Sequence, residues 1–289
     1  ARGDYYEPGT ALIIQGERIA GLVDPQVPAT AEVQVDLAGR AVIPGLFNTH
    51  CHVRVMLPTA LPRLGELRTI RENAAAQIEQ RMADCLARGV TQVRDGLAGD
   101  RSAVHTLSER IIRGELAGPR IHQVVLVAPL GGPMSSPPSL LDRLQARVTG
   151  AVAPDYESPA SGIVTFAPGA APDAVRAAVD RAIDERGARH IKLYDQSQRM
   201  PTLRSPAVLM TDAQLEAAVD QARKRGVPVA MHHTTREGFR RGVRAGVSTL
   251  VHLASDGPIS FPEARAAAAA GIIVEPTLTV GYCMSWPEV

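Results

Sequence analysis

Four stretches of the chain put nitrogen donors where they could meet. His50 and His52 close the stretch VIPGLFNTHCH, residues 42–52. Side chains alternate along a strand, so residues two apart share a face. Two imidazoles aimed at one spot suit zinc and its first-row neighbours, although a His-x-His pair in a soluble chain is often unrelated to metal. Lys192 lies inside the short apolar run HIKLY. A buried ammonium is costly. Either this lysine snorkels from a strand end, or its amine has a lowered pKa and is open to reaction. His232 and His252 each close an apolar run, VPVAM and STLV. His233 adjoins His232 but points the other way, as pocket wall or support. His105, His122 and His190 read as structural or exposed, and Cys51 as packing.

The elements that must place these residues alternate between strand and helix. From Gly45 the expected strands are a short run ending in His50-Cys51-His52, then 90–94, 120–128, 190–194, 228–232, 247–252 and 272–276, with helices over 66–88, 101–115, 173–186, 211–225, 236–245 and 261–270. Glycines at 89, 187, 226, 246 and 271 mark helix ends. Thr211 and Gln214 form a capping-box pattern. Repeated βα units predict a parallel sheet with right-handed crossovers. Such folds place their sites at the C-terminal ends of strands. Residues 129–171, rich in Pro, Gly and Ser, read as a long loop over that end, with a substrate-covering role as one reading and a plain surface excursion as the other. Residues 1–44 read as a separate β part, with hairpins around Gly16 and Gly39 and no catalytic residue.

The phrases IPGLFNTHCH, GVTQVRDG and IKLYD, together with the Gly-containing link between His232 and His252, resemble the amidohydrolase superfamily. The nearest likeness is to its imidazolonepropionase-like proteins and metal-dependent Xaa-Pro or Xaa-Arg dipeptidases. That resemblance implies a TIM-type (β/α)8 barrel (45–289) beside a small N-terminal β-sandwich part (1–44). Seven βα units are countable, and the eighth is not in this sequence. It implies a ligand set of His50, His52, Lys192, His232 and His252 for two divalent metal ions, zinc first among them. Lys192 would be carboxylated and bridge the ions as a carbamate. The implied reaction is hydrolysis of a C–N bond in dipeptides, N-acyl amino acids or cyclic amides by a hydroxide shared between the ions. The Asp that ends strand eight in such proteins, and serves there as general base, has no match here; Asp256 lies in another loop. Tyr194, His233 and Arg199 are candidates for contacting substrate.

A second reading is a barrel homologue that keeps its ligands by descent and serves as a structural or assembly subunit. A sheet one unit short leaves open edges, so a homo-oligomer or a complementing C-terminal segment is expected. A deaminase is a third reading, opposed by Lys192. Composition bounds the rest. With 31 Lys and Arg against 30 Asp and Glu, there is no electrostatic case for nucleic acid or an anionic membrane. No apolar run approaches the roughly 20 residues of a membrane span. Three cysteines are too few for a disulfide framework, so a reducing, cytoplasmic compartment is expected.

Overall fold

In a computed structural model the protein is described at residues 10–24, 26, 30–53, 66–96, 101–132, 135, 161–196 and 208–278, apart from the side chains of 66–75, 102 and 103. The chain divides into two compact units, Ala1–Gly45 and Leu46–Val289.

In the first unit, β1 (Ala11–Gln15) and β2 (Arg18–Val23) pair antiparallel across a turn at Gly16, whose φ of 60° suits glycine. The second expected hairpin is a turn without a ladder. Arg40 N donates to Leu37 O at 3.0 Å, but 33–37 and 40–43 are not strands. Val33, Val35, Val42 and Ile43 are all exposed. Apolar alternation gives strand propensity, yet a strand exists only once a partner takes its hydrogen bonds.

The second unit is α/β with parallel sheets. One sheet holds β3 (Leu46–Cys51), β4 (Val90–Asp95) and β5 (Arg120–Gln123) in that order. The other runs β11-β10-β9-β8-β6-β7, from Ile273–Glu275 through Thr249–Val251, Val229–His233, Ile191–Asp195 and Val125–Pro129 to Ile163–Phe166. Where seven strands were expected there are nine segments from β3 to β11 among the described residues. The third expected strand is cut at Val124 into β5 and β6. The Pro-rich excursion contributes β7, which pairs with β6 through Leu126–Ile163.

Helices cover one face of each sheet: α1 (Glu66–Ala87), α2 (Arg101–Ile112), α3 (Pro172–Asp184), α4 (Asp212–Lys224), α5 (Arg236–Ala245) and α6 (Phe261–Ala269). None of the described helices is long and apolar enough to cross a membrane. Strand alternation sorts the layers. Val125, Val127, Ile191, Leu193, Val229, Met231 and Leu250 join the helices in the main core. Their neighbours Leu126, Ala128 and Ile163 form a small cluster on the other face, with Tyr194 against it. Val93 and Ile121 pack in a third cluster with Met82 and Leu107. The face away from the helices therefore receives every second residue, and Lys192, Tyr194 and His232 fall on it.

Candidate functional site

Lys192 is 1% exposed, and its Nζ has no hydrogen-bond partner among the described residues. It sits in mid-sheet, in register with Leu126 on one side and Ala230 on the other. Burial, then Arg94, lowers its amine to about 7, with Glu275 pulling in the opposite direction. The lysine is thus packed inside the sheet face rather than reaching for solvent.

The imidazoles gather beside it. The ring of His50 lies 5.0 Å from that of His52 and 5.1 Å from that of His252, centroid to centroid. His252 lies 4.4 Å from His232. Burial, followed by the nearby Lys192, holds His52 and His252 at about 4 and His50 at about 2. His232 is pushed down by burial and then by His252. Neutral rings keep a lone pair free for coordination.

Backbone geometry aims two of these rings. His252 has a φ of 77°, in the left-handed region that non-glycine residues rarely enter. Its Nδ1 is 2.6 Å from Thr277 Oγ1, and its N–H donates to Glu275 O at 2.8 Å. His50 owes its place to Gly96. A Cβ on Gly96 would lie 2.5 Å from His50 Cε1, so any side chain there would displace the His50 ring.

The other candidates separate. Tyr194 stacks on His232 at 4.3 Å and 17°, and burial pushes its phenol up to about 12. His233 faces the helices: its Nδ1 is 3.0 Å from Val251 O, and its ring packs 5.7 Å from Phe239. Arg199 lies outside the described residues. Asp256 accepts from Arg236 N at the start of α5. His105 is exposed, while His122 pairs with Gln92 and contacts His190.

Sequence reasoning missed Gln196, Arg94 and Glu275. Gln196 Oε1 is 2.7 Å from His232 Nε2. It continues the alternation 192–194–196 one step past the strand. Arg94 Nη2 lies 2.5 and 2.6 Å from the two Glu275 carboxylate oxygens, with both side chains nearly buried. Glu275, closing the apolar run IIVE, carried a charge signal like that of Lys192, whereas Arg94 lies among polar residues in VTQVRD and carried none.

The donor set fits divalent metal in kind. Among the described residues, His50 Nε2, His52 Nδ1, His232 Nδ1 and Lys192 Nζ are buried without hydrogen-bond partners, an arrangement that is costly unless something binds them. Their spacing is that of packed rings. Among the described residues no three His, Cys, Asp or Glu are set to hold an ion.

No curated protein matches the chain. Among solved structures, a prolidase complexed with N-methylphosphonate-L-proline is 27% identical with a TM-score of 0.68, covering 96% of this chain and 64% of that one. A Xaa-Pro dipeptidase with methionine bound in its active site has the same TM-score and the same coverage at 24% identity. Molinate hydrolase shares the fold at 20% identity and a TM-score of 0.63, covering 96% of this chain and 62% of that one. The chain thus spans under two thirds of the length of these structures. Residues 41–284 match the amidohydrolase family, whose fold is a TIM-like barrel and whose members generally use divalent metals. With that match running from before His50 to beyond Thr277, the protein belongs to the amidohydrolase family.

Proposed function

We propose that the protein is a metal-dependent hydrolase acting on the C–N bond of a dipeptide or similar N-acyl amino acid, Xaa-Pro peptides being the first class to try. One observation carries this reading: a fully buried lysine amine with no hydrogen-bond partner among the described residues, on the sheet face toward which four histidines converge. The likeness to a prolidase holding a proline phosphonate supports the substrate class.

His50 and His52 would hold one divalent ion and His232 and His252 the other, with Lys192, as its carbamate, between them. When bound, such a pair of ions activates water near neutral pH and polarises the scissile carbonyl. The chain's own residues prepare for this. Gln196 and Thr277 fix the rings of His232 and His252, so that one nitrogen of each is committed and the other is free. Tyr194 covers one face of His232, and burial keeps its phenol protonated at working pH.

A non-catalytic scaffold is the second reading. Metal analysis separates the two. The hydrolase reading expects two equivalents of zinc, manganese or cobalt and turnover of Xaa-Pro dipeptides, both lost in Lys192→Ala. A protein that takes up no metal, or a Lys192→Ala variant with unchanged stoichiometry and activity, overturns it.

A further inference from the structure

The donors come from two separate hydrogen-bonded sheets. His50 and His52 belong to β3 and its end, in the three-stranded sheet. Lys192, His232 and His252 belong to the six-stranded one. A metal centre built from both needs something to fix the spacing between them.

Arg94 and Glu275 span that gap. Arg94 is on β4, the strand hydrogen-bonded to β3, and Glu275 ends β11, the strand beside β10. Each also touches a ligand-bearing segment through its own backbone. The Glu275 carbonyl accepts the N–H of His252 at 2.8 Å. The Arg94 carbonyl accepts the thiol of Cys51, the residue between His50 and His52, at 3.6 Å. The two residues after Arg94 continue this grip. Asp95 Oδ1 accepts from Val53 N at 3.2 Å, and Gly96 N donates to Cys51 O at 2.7 Å.

Stability alone does not account for such a pair. Desolvating two charges costs as much as their attraction returns, and apolar residues of similar volume do as well or better. A charged pair does supply a fixed, directional separation between the two groups that it joins.

We propose that Arg94 and Glu275 form a positioning pair, setting the distance between the His50–His52 half and the His252 half of the metal centre. This rests on the metal-centre reading above, and the test keeps the two apart. Zinc binding is measured by competition with a chromophoric chelator, and the absorption spectrum of the cobalt form is recorded. The proteins are wild type, Glu275→Gln, Arg94→Gln, Glu275→Asp and the swap Arg94→Glu with Glu275→Arg. The expected result is a 10–100-fold loss of zinc affinity and an altered cobalt spectrum in the two Gln variants, with at least tenfold of the affinity recovered by Glu275→Asp or by the swap. Folding is checked for each by circular dichroism, and the Asp and swap variants carry the test if a Gln variant fails to fold. Folded Gln variants with unchanged affinity and spectrum, even with a lower melting temperature, overturn the pairing alone. Wild type without zinc binding overturns the metal reading and the positioning role together.

Discussion

His252 Nδ1 and the Thr277 hydroxyl face each other at 2.6 Å, and both residues have left-handed backbones, with φ of 77° and 46°. Two costly backbone conformations are thus spent on one hydrogen bond. That bond fixes which ring nitrogen of His252 is committed, and it leaves Nε2 for the ligand role proposed above. Thr277→Val keeps the shape and removes the hydroxyl. Zinc affinity, measured by chelator competition, is expected to fall about 10–100-fold. The fold itself should lose only about 1 kcal/mol. Unchanged affinity would show that the hydroxyl does not orient the ring.

Gly242 offers a test of packing on the helix-covered face of the sheet, opposite the histidines. A Cβ there would lie 2.6 Å from Leu250 Cδ2 and 2.8 Å from Met231 Cε, both fully buried. Replacing a helical Gly by Ala gains up to about 1 kcal/mol of helix propensity. Overpacking a dense core costs about 1–3 kcal/mol. The clash is expected to win, so Gly242→Ala should shift the urea midpoint downward. A midpoint raised by the substitution would mean that Leu250 and Met231 give way freely.

Glu263 ties α6 to α5 and carries a pH signature. Its carboxylate accepts from Ser260 N at 2.7 Å, from Ser260 Oγ at 2.6 Å and from Arg240 Nε at 2.6 Å, with Arg236 at 3.6 Å. The Ser260 bonds and then Arg240 draw its pKa from near 4.5 down to about 2. A lowered acid favours the folded state above its unfolded pKa, and that contribution fades as pH falls toward the folded value. Glu263→Gln should therefore be less stable than wild type at pH 6. The gap should narrow below about pH 4.5 and close near pH 2, as followed by denaturant unfolding at each pH. A gap independent of pH would exclude the charge as its source.

Much of the scaffold was legible because its signals are local. Thr211 and Gln214 form the reciprocal cap that the sequence spells. Gly246 ends α5 in the left-handed conformation its position suggests. The β7 segment was not legible. Four residues within a Pro- and Gly-rich stretch show no period, and their strand character comes from β6 alongside. The break at Val124 has the same origin, since hydrogen-bond partners on different sheets cannot be read from a continuous apolar run. Converging histidines could be named from strand ends, but the residues that hold them could not. Gln196 lies one alternation beyond its strand. Arg94 and Glu275 meet 181 positions apart, a pairing that only the tertiary fold reveals.

The place of β8 within its sheet has a mechanical consequence. With a neighbour on each edge, the backbone around Lys192 belongs to the part of the fold that opens last. His252, by contrast, follows a three-residue strand whose outer neighbour, β11, is the last strand of that sheet among the described residues and leaves Ile273 largely exposed. Amide exchange should thus be slowest at the lysine and quicker at the last imidazole.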